Sequence, residues 1–151
     1  MPAGGARHAV AMVRQRLPED AERLARLRQE VGRLRARESR RTFDPSVHVG
    51  VLCGARTGFV LRARDRPVLD AALLRDVASR LVDESPGSWR ETWLVRPGTI
   101  EPHDLDLQWL AAARSGFGSH DRPLHGCFVI TRSGWRDVVT DEGREWVRLR
   151  L

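Results

Sequence analysis

Residues 45–63 read PSVHVGVLCGARTGFVLRA, and this stretch decides the fold. Apolar side chains stand at every second position on both sides of a glycine-bounded segment, namely Val47, Val49, Val51 and Cys53 before it and Phe59, Leu61 and Ala63 after it. This spacing is typical of a β-strand with one buried face, because successive side chains point to opposite sides of a sheet. The stretch therefore predicts two antiparallel strands joined by a turn at 54–58.

Downstream of this hairpin, apolar residues recur at intervals of three and four, which predicts two helices. The first opens near Asp65 and Pro67 and ends before Ser85, with one apolar face made of Leu69, Leu73, Val77 and Leu81. The second runs from near Pro102 to Gly116, with one apolar face made of Leu105, Trp109, Ala112 and Ala113. Short apolar runs predict strands at 93–95, 124–131, 135–139 and 145–151. The order ββαβαβββ predicts an α/β domain at 46–151, in which helices cover a mixed sheet.

A helical arm is predicted before this domain, at residues 1–41. Its apolar residues follow heptad spacing, first as Val10, Val13 and Leu17 and then as Leu24, Leu27, Val31 and Leu34. Pro18 interrupts the pattern, so we expect a short helix near 6–16 and a longer one near 18–40. We call Leu24, Leu27, Val31 and Leu34 the seam. Because a helix of this length is marginal alone in water, the seam must pack on its own domain, on another protein, or on a second copy as a short coiled coil.

Positive charge is concentrated in the arm. All 26 basic residues are arginine, and residues 1–41 contain 11 of them against five acidic residues, whereas residues 42–151 contain 15 of each. Without lysine, Schiff-base catalysis and a phosphate-binding P-loop are excluded. Such asymmetry is typical of a segment that meets an anionic partner or an acidic surface of its own fold. Arg33, Arg37, Arg40 and Arg41 are therefore the candidate anion-binding residues, with nucleic acid as one alternative partner.

Cysteine content and hydropathy indicate the compartment. Cys53 and Cys127 are the only cysteines and form no Cys-x-x-Cys motif, so neither a disulfide framework nor a thiolate zinc knuckle is predicted. The longest apolar runs are only a few residues, and the first thirty positions are rich in charge. We therefore expect no membrane span, no signal peptide and no membrane partner, and a reducing cytoplasmic setting.

Residues of the kind that hold metal ions concentrate between positions 103 and 127. His125 and Cys127 are two apart on a predicted strand and point the same way, with His120 and Asp121 just before them. His103 is too distant to join them, because the intervening helix spans roughly 20 Å. The four residues lack the paired spacing that zinc sites usually show, so we predict no bound zinc and no other cofactor.

The run from about residue 93 to 137 resembles the second half of a JAB/MPN domain of the RadC-like type. The resemblance lies in a strand with a Pro-Gly turn (Leu94-Val95-Arg96-Pro97-Gly98), a helix start at Pro102-His103-Asp104, an apolar helix, and a strand from Leu124 to Thr131. The family binds zinc through a His-x-His-Pro motif and a following Asp. Here Leu94 and Arg96 stand in place of the two histidines, and Asp104 or Asp106 matches the Asp. The resemblance therefore implies a related fold without zinc-peptidase activity.

Together these patterns favour a non-enzymatic interaction or regulatory protein of a bacterial cytoplasm. It is expected to self-associate or to bind a protein partner through its N-terminal helix, with the α/β domain as a rigid scaffold. The alternative is a nucleic-acid-binding protein that uses the Arg-rich arm. A further alternative is a degenerate or unrecognised metal-dependent hydrolase that uses His120, Asp121, His125 and Cys127.

Overall fold

A computed structural model of the chain describes residues 18–64, 70–85 and 91–147. These residues form the helices and strands α1 (Pro18–Arg37), β1 (Ser46–Gly50), β2 (Arg56–Val60), α2 (Ala71–Glu84), β3 (Glu91–Val95), α3 (Asp104–Ser119), β4 (Gly126–Ile130), β5 (Gly134–Asp137) and β6 (Gly143–Glu145). The predicted α/β class, with a helix followed by ββαβαβββ, is confirmed. The short helix predicted near 6–16 lies outside the described residues.

The six strands form one mixed sheet in the order β2-β1-β3-β4-β5-β6. Strands β3 and β4 run parallel, and every other pair of neighbours is antiparallel. Helix α3 connects the parallel pair, because the chain must return along the sheet before it can add a parallel strand. Within the described residues, no helix combines the length and the apolar character needed to cross a lipid bilayer.

Helices α2 and α3 cover one face of the sheet. Their apolar side chains pack with Val47, Leu94 and Cys127 around the fully buried Trp109, and together they form the first core cluster. Gly116 lets the two helices approach closely, since a Cβ atom there would lie 2.9 Å from Ala78. Gly116 therefore allows the contact between the two helices. The prediction that the helix ends at Gly116 is wrong, because α3 continues to Ser119.

Helix α1 covers the opposite face of the sheet. Its seam residues Leu27, Val31 and Leu34 are 1%, 0% and 2% exposed, and Leu24 is half-buried at the margin. They belong to a second core cluster that also contains Trp93, Val95, Phe128, Ile130 and Trp135. Of the packings predicted for the seam, the structure shows the one on its own domain. The described part of the arm is thus a third layer of the domain, and its buried side chains are not available to another chain while α1 occupies this position.

A buried ion pair joins α1 to the hairpin. The Glu30 side chain, in a residue only 3% exposed, accepts hydrogen bonds from both terminal nitrogens of Arg56 and from the backbone N of Cys53 at 2.7 Å. Burial acts to raise the pKa of Glu30, but these hydrogen bonds outweigh burial and hold the pKa below the ordinary value of 4.5. The Arg56 guanidinium also lies 4.9 Å from the centre of the Trp93 ring. The helix is therefore held on the sheet by a paired charge as well as by the seam.

The hairpin turn lies at residues 51–55, so the predicted turn at 54–58 is wrong. The Val51 N–H donates to the Ala55 carbonyl at 2.8 Å, and Cys53 adopts a φ of 62°. Cys53 thus takes a left-handed conformation that sequence rules assign to glycine, and the Glu30 carboxylate accepts its N–H. Gly58 lies in β2 and not in the turn. A side chain at this position would clash with its neighbour, since a Cβ atom there would lie 2.7 Å from the His48 ring.

His48 is a partly buried histidine in β1. Its ring stacks on Trp93 at 5.7 Å between centroids, and its Nε2 lies 2.8 Å from the Ser46 hydroxyl oxygen. Burial lowers the pKa of His48 from 6.5 to about 4, and the positive charges of Arg56 and Arg37 act in the same direction. The native state therefore holds this ring in its neutral form.

Stability is expected to fall as the pH decreases from 6.5 to about 4. The His48 pKa is depressed on folding, so the unfolded chain takes up the proton first, and the total loss is about 3 kcal/mol across this range. The measurement is urea unfolding at a series of pH values for the native chain and for His48→Gln, in which this part of the slope should be missing. His125→Gln, which changes an exposed histidine, is the matched control. An equal slope in the native chain and His48→Gln would contradict the prediction.

Candidate functional site

A cavity of about 510 Å³ lies at the C-terminal end of α1. Five segments meet there: the last turn of α1, the chain that leads into β1, the turn after β3, the turn between β4 and β5, and the end of β6 with the residues after it. The residues that line it are Arg35, Arg41, Phe43, Pro97, Gly98, Arg132, Ser133, Glu145, Trp146 and Val147. The cavity therefore lies where the end of α1 meets the loops at one edge of the sheet.

The cavity lining is basic. Arg35, Arg41 and Arg132 face a single acidic side chain, Glu145, which accepts a hydrogen bond from the Ser133 hydroxyl at 3.2 Å. The charged residues of the lining thus sum to a net charge of two positive. Such a local excess of one charge favours an anionic ligand.

Two arginines of the cavity keep a hydrogen-bond donor without an acceptor. The Nη1 atom of Arg35 and the Nε atom of Arg132 are both buried, and neither has a hydrogen-bond partner among the residues that the structure describes. A buried donor left without an acceptor costs about 1–3 kcal/mol, and more when the group is charged. The two donors occur on residues that line the same cavity, which makes this cavity the candidate functional site.

A neighbouring hollow of about 680 Å³ shares Phe43 and Pro97 with the basic cavity. Its lining contains Arg37 and Arg40, but also Glu38 and Asp44. Glu38 accepts hydrogen bonds from the Arg40 guanidinium at 2.8 and 3.0 Å, which together with the Arg40 backbone N–H lower the pKa of Glu38 to about 2. Because its charges are balanced, this hollow does not share the anion preference of the basic cavity.

The predicted anion-binding arginines lie in three different environments. Arg33 and Arg37 are exposed on α1 one turn apart, Arg40 is paired with Glu38, and Arg41 lines the basic cavity. Sequence reasoning missed Arg35 and Arg132. The sequence did offer a signal for Arg35, because this residue directly follows the seam residue Leu34 in the predicted helix. Nothing in the sequence connects Arg132 with the arm.

The position that the JAB/MPN resemblance assigns to metal ligands holds an ion network. Asp106 is 1% exposed and receives Arg96 Nε at 2.7 Å and Nη2 at 2.9 Å, Arg136 Nη2 at 2.7 Å, and the His103 backbone N at 3.1 Å. Leu94 is buried in the first core cluster. Neither Leu94 nor the Arg96 guanidinium, which has no acceptor atom, offers an atom that binds a metal, and the Asp106 oxygens are engaged by donors, so these residues do not fit a zinc ion.

Arg96 also organises the segment that follows β3. Its remaining hydrogen bonds go to the carbonyl oxygens of Pro97, Thr99 and Glu101, at 3.2, 2.7 and 2.9 Å. All five donors of the guanidinium group are therefore used, two on Asp106 and three on the backbone of this segment. Arg136 adds a bond to the Ile100 carbonyl at 2.7 Å. The network fixes residues 97–101 between β3 and α3.

The four residues considered as candidate metal ligands, His120, Asp121, His125 and Cys127, are not assembled into one site. Cys127 is 1% exposed in the first core cluster, whereas Asp121 and His125 are exposed. The His120 ring nitrogen Nδ1 lies 2.9 Å from the Gly116 carbonyl oxygen at the end of α3. Among the described residues, no three His, Cys, Asp or Glu side chains lie close enough to share a metal ion.

Comparison of the chain with known protein families, with curated proteins and with solved structures finds no match.

Proposed function

We propose that this chain is a non-enzymatic interaction protein that binds an acidic protein partner through the outward face of α1 and the segment after it. The observation that carries the proposal is the placement of Arg33, Arg37 and Arg41. All three are exposed, and none forms a salt bridge within the described residues. This supports binding through the charged face of the helix, because the apolar seam packs on the chain's own sheet.

The charge of the chain favours a foreign partner over a second copy. The formal net charge is +6, and the excess positive charge is in residues 1–41. Two copies that met through this face would bring like charges together, which disfavours association. An acidic surface on another protein would instead be attracted, with the largest effect on the rate of encounter.

The ion network around Asp106 supports a non-enzymatic role. We propose that the domain is a JAB/MPN-like scaffold in which Arg96, paired with Asp106, replaces the metal site that the resemblance implies. The network then has a structural task, since it holds the segment at 97–101 in place. In this proposal, the described residues at the positions of the family's metal site stabilise the fold and do not bind a metal.

Nucleic acid is a second candidate partner, and it is favoured by the spacing of the exposed arginines. Arg33 and Arg37 lie one helical turn apart, about 6 Å along α1, and therefore present two guanidinium groups in a row. Such a row suits contacts to a phosphate backbone without base recognition.

The double substitution Arg33→Glu with Arg37→Glu is expected to abolish binding to poly-L-glutamate, a probe for an acidic protein surface. The intact chain should bind this polymer at low salt and lose affinity between about 50 and 200 mM salt, because the contact is electrostatic. Binding is measured by fluorescence anisotropy, with a duplex DNA of mixed sequence as the parallel probe. Charge reversal is preferable to deletion of the arm, because α1 is part of the core.

The control is Arg75→Glu with Arg80→Glu, which changes the net charge equally at exposed positions of α2. Retained binding in this control and loss in the α1 variant would support the proposal. Preference for the duplex over the polymer would favour the nucleic-acid candidate instead. Equal weakening by both double variants, or no binding of either probe at the lowest salt concentration, would contradict a specific role for the outward face.

A further inference from the structure

We propose that the basic cavity at the end of α1 binds a small phosphate monoester, with the phosphate on Arg35 and Arg132 and the ester group on the apolar wall. This inference goes beyond the proposed partner binding, because it assigns a small-molecule ligand to a cavity under the helix end. It shares Arg41 with the proposed partner surface but does not depend on the outward arginines Arg33 and Arg37.

The unsatisfied donors indicate what kind of group the cavity accepts. A guanidinium group has five N–H donors, no acceptor, and a pKa too high to lose its proton. Arg35 and Arg132 line the cavity and can pair there only with an acceptor, and an anionic acceptor gives the stronger, charge-assisted bonds; their unpaired Nη1 and Nε atoms are themselves buried. Phosphate and carboxylate groups are the common biological anions of this type.

The net charge of the lining distinguishes phosphate from carboxylate. Three arginines against Glu145 leave two positive charges. Glu38 also lies near Arg132, close enough for their charges to interact, but it is held by two hydrogen bonds from the Arg40 guanidinium. A phosphate monoester carries a charge of about −1.5 to −2 at pH 7 and offers three acceptor oxygens, whereas a carboxylate carries one charge and two oxygens. The monoester is therefore the better complement.

The size and walls of the cavity indicate that the ligand is larger than inorganic phosphate. A volume of about 510 Å³ lies in the range of cavities that hold drug-sized molecules, and a water molecule takes only about 30 Å³ of liquid. Phe43, Pro97, Trp146 and Val147 give one part of the lining an apolar character. An organic group attached to the phosphate would cover this wall, so the ligand class is a phosphorylated small molecule with a flat or apolar body.

The ligand would bridge two layers of the fold. Arg35 belongs to α1, whereas Arg132 belongs to the turn between β4 and β5. A phosphate group held by both residues would therefore tie the helix to the sheet, and binding to the folded state alone raises the apparent stability.

The test is isothermal titration calorimetry of the full chain with phenyl phosphate and with adenosine monophosphate. Three comparison ligands are used. Inorganic phosphate lacks the ester group, benzoate has a carboxylate in place of the phosphate, and adenosine lacks the charged group. We expect at least one of the two monoesters to bind at least about tenfold more tightly than all three comparison ligands. Arg35→Gln and Arg132→Gln should each weaken binding about tenfold to a hundredfold, because each removes a charge-assisted hydrogen bond.

Arg80→Gln, at an exposed position on α2, is the matched control and should leave binding unchanged. Arg41→Gln provides a second variant at an exposed position, so the test survives if an Arg35 or Arg132 variant fails to fold; it should weaken binding severalfold. The proposal is overturned if neither monoester binds at millimolar concentration, if the cavity variants bind as the native chain does, or if inorganic phosphate binds as tightly as both esters. The outcome is separate from that of the polymer-binding test, because Arg33 and Arg37 are unchanged.

Discussion

Replacing Asp106 with asparagine is expected to lower the free energy of unfolding by about 3–5 kcal/mol, because it removes the carboxylate that two buried arginines share. Arg96 and Arg136 are 4% and 7% exposed, so neither can recover its hydration without opening the structure. Arg136 keeps a contact with the exposed Asp141 at 3.0 Å, but Arg96 keeps only backbone carbonyls. Chemical denaturation at pH 7 measures the loss.

Asp104→Asn is the matched control for this prediction. Asp104 also lies in the first turn of α3 but is exposed. Both substitutions remove a negative charge from the same helix start, where each charge contributes about 0.3–1 kcal/mol. The difference between the two variants therefore isolates the buried network. A loss of less than about 1 kcal/mol for Asp106→Asn would show that the two arginines do not need this carboxylate.

Replacing Val31 with aspartate is expected to destabilise the chain by at least about 4 kcal/mol without a preceding change in its oligomeric state. Val31 is 0% exposed in the second core cluster, so the new carboxylate would be buried among apolar side chains and close to the Glu30 ion pair. An unpaired charge in such a place carries a desolvation penalty that no neighbouring group compensates. Urea unfolding measures the loss, and light scattering measures the mass.

Gln29→Asp provides the control, because it introduces the same charge on the exposed side of α1. It should change stability by no more than about 0.5 kcal/mol. If the seam were instead an interface between copies, Val31→Asp would convert a dimer to a monomer that is as stable as the Gln29→Asp variant. That result would rule out the docking of α1 on its own sheet.

Local periodicity was sufficient to predict the order and type of the elements but not all of their bounds, since β6 covers Gly143–Glu145 whereas the predicted strand began at residue 145. The spacing of Val47 and Val49 predicted β1, and the seam predicted α1 from Pro18 onward, although the helix ends at Arg37 and not near residue 40. Such patterns can be recognised in the sequence because the apolar residues of one element recur with the period of its buried face. They do not report which other element covers that face, which is why the seam alone left three possible coverings.

The candidate site was largely hidden for the same reason. Arg35 and Arg132 are brought together only when α1 docks across the β4–β5 turn, and Arg136 reaches Asp106 from a strand that follows α3. Single polar residues have no period, so sequence spacing cannot show which of 26 arginines will share a cavity or a carboxylate. The turn at Cys53 was misplaced because its left-handed backbone is compatible with a tertiary hydrogen bond from the Cys53 N–H to the Glu30 carboxylate, which no local rule describes.

The position of α1 on the sheet also has a consequence for synthesis on the ribosome. Helix α1 is translated before every strand, yet the apolar side chains that cover its seam come from β3, β4 and β5, with Trp135 among the last. Until β5 has emerged, the nascent chain exposes Leu27, Val31 and Leu34, and a surface of this kind is prone to association with other incomplete chains. The contact between α1 and β5 joins residues that are far apart in the sequence. We therefore expect α1 to dock on the sheet in a slow step of folding. Chaperone dependence should therefore be strongest for nascent chains that end before β5.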